Sequence, residues 1–172
     1  MTQHAPQSPH AASALRVAFF SDSLPERNGT GAYYHDLIAS LAPRVAACRI
    51  FQPMRERRFN AATIPLPGDT TQEFAVPAPF RIRDAIADLR PHVTVSVTPG
   101  PFGQLGKRMA LRHPSGFISA YHTDFAALAD LYWGPIRRRL SNRVIDRLNQ
   151  RLFRNSTTVA VNNSELVPAV QR

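Results

Sequence analysis

At 172 residues the chain is long enough to bury one sizeable core, and 44% hydrophobic with 19% charged residues sets it apart from disordered proteins. A single cysteine, Cys48, excludes an internal disulfide and a cysteine-based zinc site and favours a reducing compartment. The net charge of +9, on 21 Lys and Arg residues of which all but Lys107 are Arg, suits anionic sugar nucleotides, an anionic membrane surface or nucleic acid, and by itself does not choose among them.

Residues 1–15 are rich in Ala, Ser, Pro and His and are expected to form a disordered lead-in. They have neither the basic start nor the apolar stretch of a signal peptide. No apolar run approaches the roughly 20 residues of a membrane-spanning helix. Val17 to Phe20 is a short apolar run, as in a strand buried on both faces. Ser21 to Thr30, with Pro25, Asn28 and Gly29, reads as a loop. From Gly31 the pattern turns helical, with Tyr34, Leu37, Ile38 and Leu41 on one face. A buried strand, a Gly-containing loop and a helix N-terminus together form an anion site, because main-chain N–H groups and the helix dipole converge there.

Val45 to Phe51 reads as a second strand, with Cys48 as a core residue, and Pro53 to Phe59 as a basic turn. Ile64 to Pro79 carries Pro65, Pro67, Gly68 and Pro77 and is expected to be mostly loop, with one short strand at Phe74 to Val76. Phe80 to Leu89 reads as a helix with Ile82, Ala85, Ile86 and Leu89 on its apolar stripe, ended by Arg90-Pro91. Strands follow at Val93–Val97, Phe117–Tyr121 and Thr157–Val161. Helices are expected at Phe102–Leu111, Ala126–Tyr132 and Ile136–Phe153, and Asn163 or Ser164 caps the last segment. In the Ile136 helix, Ile136, Leu140, Val144, Leu148 and Leu152 make an apolar stripe beside a basic row of Arg139, Arg143, Arg147 and Arg151. That row reads first as a solvated face and second as a contact for an anionic membrane. Nucleic acid ranks below both, because the row lacks interleaved aromatics.

Alternating strands and helices predict an α/β fold, a Rossmann-like parallel sheet with helices on both faces. Ligands of such sheets bind beyond the carboxyl ends of the strands. Ser21–Gly31, Thr98–Gly103 and His122–Phe125 fall there, so Asn28, Thr98, Gly100 and His122 join the candidate site, with Tyr121 at the strand end just before His122. A dinucleotide fingerprint is rejected. Tyr34 stands at the third glycine position, the loop before Gly29 is long, and the second strand ends at Phe51-Gln52 without a carboxylate for ribose. Asp22 reads as a loop or cap residue, and the histidines have no metal-ligand spacing.

Four stretches carry a more specific signal: Arg16–Pro25 with Asn28-Gly29-Thr30, Leu89–Gly103, Ile118–Phe125 and Val159–Glu165. In this order they resemble the N-terminal domain of retaining GT-B glycosyltransferases of family 4, from about Arg16 to the end. The resemblance implies one half of a two-domain transferase, holding a sugar or lipid acceptor while a C-terminal domain holds the nucleotide-sugar donor. It implies that Gly29, flanked by Thr30 and Gly31, faces the donor diphosphate. His122 would lie beside the transferred sugar, with Asp124 at the mouth of the site, and Ser164 and Glu165 match the family's Ser-Glu. The nucleotide sugar is a substrate, and neither a cofactor nor a metal is implied. The chain departs from the family at Pro91-His92, where Pro-Asp is commoner, and at Asn162-Asn163, where a Pro is common. The donor-binding motifs of the C-terminal domain, a basic pair and Glu-x7-Glu, are not in these 172 residues. The expectation is therefore a domain inactive alone, completed by its C-terminal domain or a complementary chain. It is expected in the cytoplasm, with peripheral contact at the inner face of the membrane. The alternative is a non-catalytic Rossmann-like module that binds a phosphorylated or sugar ligand or a partner protein.

Overall fold

The computed structural model describes residues 14–26, 29–53, 59–66, 69–122 and 135–171, with side chains described except at 65–66, 69–74 and 135–141. In chain order the elements are β1 (Arg16–Phe20), α1 (Gly29–Leu41), a 3-10 turn (Ala42–Arg44), β2 (Ala47–Phe51), β3 (Asn60–Leu66), β4 (Asp69–Pro77), α2 (Pro79–Leu89) and β5 (Val93–Ser96). Then come α3 (Pro101–Arg112), β6 (Gly116–Tyr121), α4 (Pro135–Phe153), β7 (Thr158–Val161), a second 3-10 turn (Ser164–Leu166) and α5 (Val167–Val170).

Five strands form one sheet in the order β2-β1-β5-β6-β7, and every neighbouring pair is parallel. The chain leaves β1 toward β2 and later returns to β5 on β1's other side. The strand order therefore reverses between β1 and β5, the kind of switch point at whose carboxyl ends such sheets bind ligands.

The two-residue period of the strands divides the core. Ala18, Phe20 and Phe51 share one face with Ile82 and Ile86 of α2 and Phe102, Leu105 and Met109 of α3. Val17, Phe19, Val95, Val97 and Ala120 share the other, covered by Tyr34, Leu37, Ile38 and Leu41 of α1. Ala110, Phe117 and Leu152 form a third cluster joining α3, β6 and α4. Burying one such Leu or Phe side chain contributes about 1.5–3 kcal/mol. Helices thus lie on both faces of a parallel sheet, the predicted architecture. Helix α3 lies so close to the sheet that a Cβ on Gly106 would sit 2.6 Å from the Phe20 ring. The buried hydroxyls beneath it are paired: Thr94 with Ser115 at 3.2 Å, and Ser119 with Ser156 at 2.8 Å.

Some boundaries differ from those predicted. Helix α1 starts at Gly29, two residues before Gly31, and β2 starts at Ala47, because the chain bends at Val45 and Ala46 after the 3-10 turn. The largest difference is the region read as loop, where β3 and β4 form an antiparallel hairpin. Pro65 and Pro77 suggested a break, but in a two-stranded sheet each strand is an edge, where proline's missing N–H is tolerated. Phe59 and Ala75 anchor the hairpin in the core beside Phe51, and the Arg49 guanidinium lies 5.4 Å from the Phe51 ring and 5.3 Å from the Phe59 ring.

Helix α2 ends as read: Arg90 adopts a left-handed conformation (φ 46°) and its N–H reaches the Ile86 carbonyl. In α4, Leu152 is fully buried and Leu148 half-buried, but Val144 is 46% exposed. An i, i+4 row drifts by about 40° per step around a helix, so the stripe rotates out of the core. Cys48 is half-buried against the α1-side cluster, and burial pushes its thiol pKa up, which favours an inert core role. The predicted helix at 126–132 and all but two residues of the lead-in fall outside the described residues. Among the described residues, no helix is long and apolar enough to cross a membrane.

Candidate functional site

Three chain segments leave the carboxyl ends of β1, β5 and β6, and two side-chain linkages hold them together. The first joins the β1 and β5 segments. Asp22 N–H donates to Thr98 Oγ1 at 2.8 Å, and the Thr98 hydroxyl donates to Asp22 Oδ2 at 2.6 Å. The same carboxylate accepts from Phe102 N–H at 2.9 Å and, at the edge of hydrogen-bond range, from Gly103 N–H at 3.5 Å. Asp22 is therefore a cap, but of α3, a helix 80 positions further along the chain. Gly100, the residue before α3, has no side chain to offer, and a Cβ there would meet the Asp22 carboxylate at 2.5 Å. Burial raises the Asp22 pKa above the ordinary carboxylate value, opposed by the Thr98 hydroxyl and the α3 amides.

The predicted residues Thr98 and Gly100 thus belong to an internal lock. The carboxylate of Asp22 already occupies the N-terminus of α3.

The α1 N-terminus is different. Gly29 is exposed, and a Cβ built on it meets nothing within 4 Å. Thr30 is half-buried and Gly31 buried. A Cβ on Gly31 would run into the Leu24 carbonyl, so glycine is required there by the close approach of the β1–α1 loop. Gly29, where a phosphate was expected to approach, is sterically open.

The second linkage joins α1 to the end of β6. The Tyr34 hydroxyl lies 2.6 Å from His122 Nε2, across 88 positions of sequence, with ring centroids 5.3 Å apart. Tyr33 lies edge-on to Tyr34 at 5.2 Å and 6.0 Å from the His122 ring. Tyr34 sits one helical turn after Thr30, so this contact brings the first turn of α1 and His122 to the same rim of the sheet. Burial lowers the His122 pKa, so its imidazole is neutral at pH 7. Burial, with a smaller contribution from Tyr33, raises that of Tyr34. The His122 carbonyl accepts from Asn162 Nδ2 at 3.4 Å, which ties in the end of β7.

The remaining predicted residues are dispersed. Tyr121 is buried on the opposite face, with its ring edge-on to Phe153 at 5.6 Å. There it lines a cavity of about 600 Å³ with Asp146, Asn149, Gln150, Phe153 and Arg154. Ser164 and Glu165 are exposed on the 3-10 turn after β7, which Asn163 caps by accepting from Leu166 N–H at 3.1 Å. Asn28 and Asp124 lie outside the described residues. The sequence places Tyr34 on the apolar stripe of α1 and at the third glycine position of the rejected fingerprint, not in the candidate site. The available signal was a phenol on an inward-facing position, which needs a polar partner when buried.

Residues 27–171 match the family model described as Glycosyltransferase Family 4. No curated protein and no solved structure gives a match.

Proposed function

The chain belongs to Glycosyltransferase Family 4, and from that premise we propose that it forms the acceptor-side half of an enzyme that transfers a sugar from a nucleotide-sugar donor. The α1 N-terminus at Gly29 and Thr30 faces the donor diphosphate, and His122 lies beside the transferred sugar. The observation that carries this reading is the Tyr34–His122 contact, which sets the open end of α1 and the end of β6 on one rim. Main-chain N–H groups at a helix start and the positive end of its dipole stabilise the negative charge that grows on the leaving diphosphate. The departing phosphate takes the acceptor proton, and the chain's own groups position the reactants and exclude misaligned ones. Residues 16–172 act as one Rossmann-like unit in this scheme. The donor is held by a second domain or a complementary chain.

A second part of the proposal concerns where the acceptor is met. Arg143, Arg147 and Arg151 are exposed on α4, and Arg108 is exposed on neighbouring α3. Burial, then the charges of Arg151 and Arg108, lower the Lys107 pKa, which marks a crowded basic patch. Such a patch suits peripheral attachment to an anionic membrane at its cytoplasmic face, where a lipid acceptor would be reached.

The deciding experiment is nucleotide-sugar turnover by this chain alone and joined to a donor-binding second domain, over a panel of sugar and lipid acceptors. Turnover only in the joined form is expected. No turnover in either, with both folded, would contradict the transferase reading and favour a non-catalytic binding module.

A further inference from the structure

We propose that Tyr34 is a positioning residue that holds His122 as the neutral tautomer protonated at Nδ1, so that the imidazole meets its ligand as a hydrogen-bond donor and not as a base. The consequence for catalysis rests on the placement of His122 beside the transferred sugar proposed above. The proton assignment does not.

Proton counting at the contact carries the inference. The 2.6 Å separation of Tyr34 Oη and His122 Nε2 holds one proton between them. Two arrangements are available. In one, the phenol donates, Nε2 accepts through its lone pair, and the ring proton sits on Nδ1. In the other, Nε2–H donates, and the phenol proton must find a second acceptor. Tyr34 is 4% exposed, its ring is held among Phe19, Tyr33 and His122, and its one hydrogen bond among the described residues is the one to His122. The second arrangement therefore leaves a buried O–H without an acceptor among the described residues, whereas the first satisfies both groups. Burial acts in the same direction: it holds the phenol protonated and the imidazole neutral.

The tautomer decides what His122 can do. Nε2 is occupied and cannot accept a proton from an incoming hydroxyl. Nδ1–H makes no hydrogen bond to a described residue, so it is left to donate to an oxygen of the ligand, a sugar hydroxyl or a phosphate oxygen. This is the same logic by which an outer partner of a histidine fixes the nitrogen that works.

The test begins with the chain as it is, without sugar. In ¹⁵N spectra of the labelled 172-residue chain at neutral pH, His122 is expected to show a protonated Nδ1 and a lone-pair Nε2. In Tyr34→Phe, with folding checked by the amide spectrum, the pattern should move toward the mixture of an unconstrained imidazole. A protonated Nε2 in the unsubstituted chain would overturn the proposal, whatever the variant does. In the enzyme joined to its donor domain, Tyr34→Phe should lower kcat roughly tenfold with KM unchanged, the scale of a lost orienting partner. A shifted tautomer with unchanged kcat would overturn the donor role of His122 while leaving the proton assignment intact.

Discussion

Replacing Asp22 probes the lock between β1 and α3. In Asp22→Ala the Phe102 N–H loses its acceptor at 2.9 Å and the Thr98 hydroxyl its acceptor at 2.6 Å, both in a partly buried setting. Loss of a helix cap costs about 1–2 kcal/mol, and an orphaned buried donor adds about 1–3 kcal/mol. The hydroxyl can rotate toward another acceptor, so the expected total is about 3 kcal/mol, or roughly 6–12 °C in Tm for a chain of this size. Asp22→Asn should behave differently. Its Oδ1 still accepts from Phe102, and its amide donates toward Thr98 Oγ1 much as a protonated carboxyl would, so about 1 kcal/mol or less is lost. The pH dependence follows from the raised pKa. Between the ordinary and the raised value, the folded chain keeps a proton that the unfolded chain has released. Stability from this group therefore falls as pH rises through that window and is flat above it. Asp22→Asn removes this slope. Urea unfolding of the three proteins across pH 3 to 8 measures both effects. Asp22→Ala within about 0.5 kcal/mol of the unsubstituted chain, below the ordinary cost of a lost cap, would refute the cap, and an unaltered slope in Asp22→Asn would refute the raised pKa.

Two single substitutions separate the α1 glycines, and one triple variant tests the basic patch. Gly31→Ala forces a Cβ into the Leu24 carbonyl and should lower stability by about 2 kcal/mol or more, whereas Gly29→Ala should change it by less than about 0.5 kcal/mol; thermal melts distinguish the two. The triple charge reversal Arg143→Glu, Arg147→Glu, Arg151→Glu should lower binding to anionic vesicles more than about tenfold, at about 1 kcal/mol per basic residue, and binding to neutral vesicles should be weak in both proteins. Equal co-sedimentation with anionic vesicles would show that these arginines form only a solvated face.

The fold was largely legible because its strands are short apolar runs and its helices have apolar faces, both of which are local patterns. The hairpin was not, since Pro65 and Pro77 break a strand in the middle of a sheet but not in a two-stranded ribbon, and the sequence does not say which kind of strand it is. Val144 was misplaced because the i, i+4 row was followed as if it stayed on one face. The position of His122 at a strand end was readable; its partner was not, because the Tyr34 contact spans 88 residues and is made only when α1 folds across the sheet. Asp22 was readable as a cap from its residue type and loop position. The helix that it caps was not, for the same reason of distance. Thr98 and Gly100 lie at the rim as read, and their contacts with Asp22, which join two loops 76 and more positions apart, were not legible in the sequence.

In the proposed enzyme the open start of α1 and His122 act on one reacting sugar. Steady-state kinetics of Gly29→Val and His122→Ala in the enzyme joined to its donor domain test it most directly, read beside the thermal melts of the same proteins. In each, kcat is expected to fall at least roughly tenfold, about 1.4 kcal/mol of transition-state stabilisation, while Tm moves by only a few degrees in Gly29→Val and, with the Tyr34 hydroxyl orphaned, by roughly 2–12 °C in His122→Ala. Unchanged kinetics in either variant, or in Gly29→Val a loss of activity matched by an equal loss of folding stability, would contradict it.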